Sequence, residues 1–240
     1  MLTTAILAGG LATRLRPITE KIPKALVPVG KEPFIFHQLK LLRSKGIEQV
    51  VMCAWYKGEM IREQVGSGSQ FGLKVEYSFD GNQPLGTAGA IRKALPLLGE
   101  KFFVLYGDSY LPCDYKSVEV SFLEQNKNGL MTVFNNKLSL DKSNVEFRNG
   151  KIQRYVKNIL DNSLTHIDYG LSAFKAEAFL DIALDRSTDL VSVYQELLSN
   201  HQLAAFEVME RYYEIGSLQG LHELDQLLTN HPNFMQGEGL

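Results

Sequence analysis

Thr3-Thr4-Ala5-Ile6-Leu7-Ala8-Gly9-Gly10 is a short apolar run that stops at a glycine pair. Apolar side chains at consecutive positions mark a strand buried on both faces, as in a parallel sheet, and the glycines open that strand into a loop. The loop carries Pro17, Pro23 and Pro28, so it is expected to be non-helical. After Pro33, the apolar residues Phe34, Ile35, Leu39 and Leu42 recur at helical spacing, and Gly46 supplies a stop.

The alternation continues outward: a strand over residues 49–55, a helix over 58–65, a strand over 74–79, a helix over 87–98 and a buried strand over 102–106. This order predicts an α/β fold with a Rossmann-like, mostly parallel sheet flanked by helices. Beyond Asp114 the order changes. A helix near 117–126 and strands at 130–134, 145–147 and 152–156 are expected, the last two joined through Asn149-Gly150, a strong hairpin signal. A strand at 166–174, helices at 176–184 and 191–199, a strand at 204–208 and a helix at 218–228 complete the pattern. The expected organisation is one domain over 1–229, with a first half (1–114), a smaller mixed α/β lobe (115–229) and a tail at 230–240.

Composition limits the function classes. A chain of 240 residues with 45% hydrophobic and 22% charged positions can bury a substantial core. Its net charge of -2 gives no broad basic field for nucleic acid or an anionic membrane, so any phosphate must be held locally. Cys53 and Cys113 stand far apart and outside any CxxC pattern, which fits a reducing cytoplasm and suggests neither disulfide nor zinc. The N-terminus has no cationic region or long apolar span, so secretion and membrane insertion are not expected.

Chemistry concentrates in three segments. The first is Leu7-Ala8-Gly9-Gly10-Leu11-Ala12-Thr13-Arg14-Leu15-Arg16-Pro17 with Pro23-Lys24-Ala25-Leu26-Val27-Pro28. Its glycines allow backbone N–H groups to approach a triphosphate, and Thr13, Arg14 and Lys24 add a hydroxyl and two fixed cations. Neither the GxxxxGK[ST] nor the GxGxxG spacing occurs here. The second is Gln83-Pro84-Leu85-Gly86-Thr87-Ala88-Gly89, where the Gln83 amide both donates and accepts and so suits a nucleobase edge. The plainer alternative is a strand-to-helix turn with Thr87 as N-cap. In the third, Phe103-Val104-Leu105-Tyr106-Gly107-Asp108, a carboxylate emerges at the end of a buried strand, where open α/β sheets bind ligands. Carboxylate oxygens suit Mg²⁺, although such an Asp also serves as a turn residue or helix cap. The five histidines form no ligand spacing, and no Ser/His/Asp or Cys/His set points to covalent catalysis.

Together these segments resemble the sugar-phosphate nucleotidylyltransferase family, over roughly residues 2–228 and most closely in the first half. The resemblance implies that Leu7, Ala8, Gly9, Gly10, Thr13, Gln83, Gly86, Thr87 and Asp108 bind a nucleoside triphosphate. It also implies that Arg14 steadies the leaving pyrophosphate and Lys24 the incoming sugar phosphate, and that Asp108 and Glu214 hold Mg²⁺. Asn144, Lys157 and Asp168 fall in stretches similar to the family's sugar pocket, which implies a nucleotide-binding half over 1–114 and a sugar-binding half over 115–229; on their own they read rather as a turn cap, a surface lysine and a peripheral strand residue. Three departures stand out: Ala12 where glycine is common, Val156 where a sugar-binding glutamate is usual, and Glu214 where aspartate is usual.

The implied reaction joins a sugar 1-phosphate to a nucleoside triphosphate and releases pyrophosphate, making a nucleotide sugar of the kind that feeds cell-surface polysaccharide. GDP-heptose or GDP-mannose types are similar, with a UDP-sugar-forming uridylyltransferase or a non-catalytic nucleotide-sugar-binding homologue as alternatives. A glycosyltransferase is disfavoured because Asp108-Ser109-Tyr110 lacks a second aspartate. Many family members add a C-terminal β-helix; here a free-standing transferase domain is expected, cytoplasmic, with self-association left open.

Overall fold

The computed structural model of the protein describes residues 1–136, 142–157 and 161–231. The first half comprises β1 (Thr3–Leu7), α1 (Ile18–Lys21), β2 (Pro28–Val29), β3 (Glu32–Pro33), α2 (Phe34–Ser44), β4 (Gln49–Ala54), α3 (Gly58–Val65), β5 (Lys74–Phe79), α4 (Gly86–Leu98), β6 (Lys101–Tyr106) and β7 (Ser109–Tyr110). There follow α5 (Tyr115–Gln125), β8 (Gly129–Asn135), β9 (Val145–Arg148), β10 (Lys151–Tyr155), β11 (His166–Lys175), α6 (Leu190–Ser199), β12 (Leu203–Val208), β13 (Tyr213–Glu214) and α7 (Leu218–Asn230).

β1 is flanked by β4 and β6, both parallel to it, and β5 continues the sheet beyond β4. On the other side β11 joins β6 antiparallel, β8 joins β11 antiparallel, and β12 lies parallel to β8. The path from β12 through β8, β11, β6, β1 and β4 to β5 therefore has one reversed strand, β11. The strands β8, β11 and β12 of the expected mixed lobe thus extend the same sheet. β13 pairs apart from it, with β7, whereas the β9–β10 hairpin joins the same sheet through a single pair, Val145 of β9 opposite His166 of β11. Its turn places Asn149 and Gly150 at φ 52° and 73°, the left-handed pair of a tight hairpin.

Both faces of the sheet are covered, which explains the unbroken apolar run of β1. Ile6 packs with Leu39 and Leu42 of α2, Ile61 of α3 and Phe122 of α5, whereas Ala5 faces Ala88 and Ile91 of α4 and Val193 of α6. A third cluster gathers Leu15, Val27, Phe34, Ile215, Leu224 and Leu227, seating the loop after β1 against α7.

Two expectations need correction. The proline-bearing loop is partly helical: Thr13–Leu15 and Lys24–Leu26 are 3₁₀ turns and α1 lies between them. Pro17 and Pro23 sit at N-caps of these short pieces, where a missing N–H costs nothing. The helix expected at 176–184 shrinks to a 3₁₀ turn, Ala176–Phe179. Phe179 is buried, but Leu180 and Leu184 are exposed, so the segment has no continuous apolar face for a helix to bury. In the tail, Asn230 ends α7 and residues 232–240 lie outside the described residues.

Candidate active site

The C-terminal ends of β1, β4 and β6 converge on one edge of the sheet. Gly107 follows β6 and presses against β1: its N–H donates to the Leu7 carbonyl at 2.9 Å, and a Cβ added there would stand 2.7 Å from the same oxygen. Only glycine lets the two strand ends come so close. Asp108 is thereby thrust forward, its Oδ2 2.5 Å from Lys24 Nζ and its carbonyl accepting from Ile215 N–H at 2.9 Å. The side chains of this pair are 16% and 29% exposed, so the contact is shielded without being sealed.

β13 pairs antiparallel with β7, with Glu214 opposite Ser109, and so brings Glu214 beside Asp108 although they lie far apart in sequence. The Glu214 carboxylate accepts from Gly216 N–H and from the Ser217 hydroxyl, holding the turn into α7. A Cβ built on Gly216 would lie 3.2 Å from both Arg14 Nη2 and Lys24 Nζ, so the two cations converge over this turn.

Two cavities meet here. One, about 440 Å³, is lined by Leu7, Ala8, Gly9, Gly10 and Lys24, by Gly86 and Thr87 at the start of α4, and by Trp55, Asp80, Tyr106 and Asp108. The other, about 700 Å³, is lined by Arg14, Asn144, Lys157, Asp168 and Glu214, with Arg211 and several tyrosines. Tyr106 and Asp108 border both. The Cys53 thiol, in the first cavity, is pushed up to about 12 by burial and then by Asp80, which leaves it an inert neutral wall.

In the second cavity the Asn144 carboxamide oxygen accepts from Asp168 N–H at 2.8 Å where the β11–β8 register shifts. Asp168 accepts from Gly170 N–H at 3.1 Å and from the Tyr155 hydroxyl at 3.3 Å. Burial pushes its carboxyl up to about 6, against the lowering effect of those hydrogen bonds and of Lys157. Lys157 reaches Asp189 at 3.4 Å and is 45% exposed.

Of the residues singled out in the sequence, Thr13 and Gln83 are exposed and line neither cavity. Thr87 is not the N-cap of α4; Leu85 occupies that position, and the Thr87 hydroxyl instead accepts from Leu190 N–H at 2.7 Å, tying α4 to the start of α6. Tyr106, Trp55, Asp80 and Arg211 were not foreseen. Tyr106 ended a buried strand and read as core, and Arg211 had no motif around it.

Comparison with known proteins places this α/β fold and its pair of cavities. A family model described as "Nucleotidyl transferase" matches residues 3–231, so the chain belongs to the nucleotidyl transferase family of enzymes. Among its relatives, the chain is 35% identical over 116 residues to a D-glycero-alpha-D-manno-heptose 1-phosphate guanylyltransferase of Campylobacter jejuni, covering 48% of this chain and 52% of that one. It is 30% identical over 243 residues to the mannose-1-phosphate guanylyltransferase catalytic subunit beta of Xenopus tropicalis, covering 96% of this chain and 67% of the relative. The chain thus spans between about half and two thirds of the length of these relatives. HddC from Yersinia pseudotuberculosis shares the fold, with a TM-score of 0.79 at 23% identity over 94% of this chain and 99% of that one, and has also been solved with GMP-PN. Among the described residues no helix is long and apolar enough to cross a membrane.

Proposed function

We propose that the protein is a sugar-1-phosphate nucleotidylyltransferase, binding the nucleoside triphosphate in the glycine-lined cavity and the sugar 1-phosphate in the larger polar one. The observation that carries this reading is that the two cavities meet at Asp108, with Lys24 against it and Arg14 converging nearby. A phosphate monoester has a second pKa of about 6, so the attacking oxygen is already ionised at neutral pH and needs no general base. The obstacle is repulsion between two polyanions. Lys24, Arg14 and Lys157 offset it, and the cavity walls hold the reactants in line.

The residues present fit Mg²⁺. Asp108 and Glu214 offer oxygen only, on adjacent backbone segments, and no group of three or more His, Cys, Asp or Glu among the described residues could cage a metal alone. That suits an ion that keeps waters and takes its remaining ligands from phosphates. Asp108 would hold it, with Glu214 contributing if its bonds to Gly216 and Ser217 give way; bound there, the ion would neutralise triphosphate charge.

A guanine nucleotide with a heptose or mannose 1-phosphate is the first pair to test, because guanylyltransferases for those sugar phosphates are among the relatives in sequence. The experiment crosses four nucleoside triphosphates with a panel of sugar 1-phosphates and reads pyrophosphate release. One pair should stand out, and its release should require magnesium. Silence across the whole panel from protein that binds nucleotide would favour a non-catalytic nucleotide-sugar-binding role.

A further inference from the structure

One buried polar side chain outside the proposed reaction touches the turn that carries Asp108. Gln38 lies on α2 between core residues, is 1% exposed, and donates through Nε2 to the carbonyls of Tyr106 at 3.0 Å and Ser109 at 2.7 Å. These carbonyls bracket Gly107 and Asp108. The Gln38 Oε1 is itself buried with no hydrogen-bond partner among the described residues, so the side chain leaves its own acceptor unsatisfied while serving the turn. On the opposite side the turn is fixed by Gly107 against the Leu7 carbonyl.

We propose that Gln38 is a positioning residue for Asp108: the two hydrogen bonds from α2 hold the Tyr106–Ser109 turn so that the carboxylate projects between the cavities rather than swinging toward either. The inference rests on the proposed reading of Asp108 as the group that meets a nucleotide-bound cation. Partners that orient a metal-binding carboxylate commonly govern metal affinity by about tenfold or more.

The test compares wild type, Gln38→Met, which keeps the volume and removes both donors, and Gln38→Asn, which keeps an amide at shorter reach. Mn²⁺ affinity is measured by electron paramagnetic resonance with a non-hydrolysable nucleoside triphosphate analogue present, alongside nucleotide affinity without metal and the KM for sugar 1-phosphate. For Gln38→Met, Mn²⁺ dissociation should weaken about tenfold while the other two constants stay within about twofold. Should that variant not fold, Gln38→Asn is read the same way, with a smaller loss expected. Unchanged Mn²⁺ affinity, or equal losses in all three constants, would overturn the assignment. If wild type releases no pyrophosphate, the functional reading fails by itself; Gln38 is then still judged by whether its variant weakens Mn²⁺ as Asp108→Asn does. A wild type that releases pyrophosphate but binds no Mn²⁺ overturns the Gln38 assignment and leaves the functional reading standing.

Discussion

Lys24 and Asp108 face each other at 2.5 Å in a shielded position, each the other's partner. In the proposed reaction Lys24 exchanges that carboxylate for a phosphate oxygen. Lys24→Ala should lower kcat/KM by at least about tenfold, since a charge-assisted contact contributes roughly 1.5 kcal/mol or more, and steady-state pyrophosphate release measures it. Ala12 offers the opposite case. It sits at φ 48° and ψ 46°, a left-handed conformation that costs a residue with a Cβ about 1 kcal/mol. Ala12→Gly should therefore leave stability unchanged or slightly raised, the relief of strain offsetting the greater freedom of the unfolded chain; urea unfolding reads the difference, and a clear loss would contradict the strain. Asp168 makes a prediction in pH. Its carboxyl is raised to about 6, so between about pH 4 and 6 the folded protein holds a proton that the unfolded chain has released. Stability from this group is thus full below about pH 4 and falls as pH rises through about 6. Asp168→Asn should be more stable than wild type at pH 7.5 by on the order of 1 kcal/mol, and the gap should close towards pH 4.5, as read by denaturation midpoints at both values.

At the level of elements, the decisive joint is between the start of α4 and the segment leading into α6. Thr188 N–H donates to the Leu85 carbonyl at 2.8 Å, and its own carbonyl accepts from Ala88 N–H at 2.9 Å. Asp189 then caps α6 and meets Lys157 from the second cavity. A wall of the first cavity is in this way tied to a lysine of its neighbour. Gly86 makes the joint possible, with φ 74° and a would-be Cβ only 2.5 Å from the Thr188 carbonyl oxygen. Gly86→Ala should cost more than about 1 kcal/mol of stability, since it adds a steric clash to a strained φ. It should also raise the KM for nucleotide more than that for sugar 1-phosphate; equal effects on the two would mean that the joint does not shape the nucleotide cavity.

Across the whole molecule, the glycine-lined cavity proposed to take the nucleotide draws walls from β1, β4, β6 and α4, the strands of one sheet and a helix packed on it. A ligand seated there stabilises the folded chain by mass action, by about 2.7 kcal/mol at a hundred times its dissociation constant. For a chain of this size that corresponds to a rise of roughly 5–10 °C in Tm. The preferred triphosphate should reach that range in a thermal scan with magnesium, and the other three should fall short at the same concentration.

The first half was legible because its signals are local. The run Thr3–Leu7 is too short for a buried helix and ends at a glycine pair, which fits a doubly covered strand, and Asn149-Gly150 readily adopts the left-handed pair of a tight hairpin, so length, punctuation and backbone stereochemistry write these elements into the sequence. Gly9, Gly10, Lys24 and Asp108 were likewise found from segment chemistry, and the structure gathers them around one cavity. Other features depend on partners far away in the chain. The short helical turns around Pro17 and Pro23 follow from packing against α7, and Thr87 bonds Leu190 only because α6 lies beside α4. Gln38 reads in sequence as one polar position on a helix, and Glu214 as one carboxylate after a tyrosine. Only the folded chain sets Gln38 beneath the Asp108 turn and Glu214 across from Ser109, because contacts between distant segments are decided by how the sheet orders its strands.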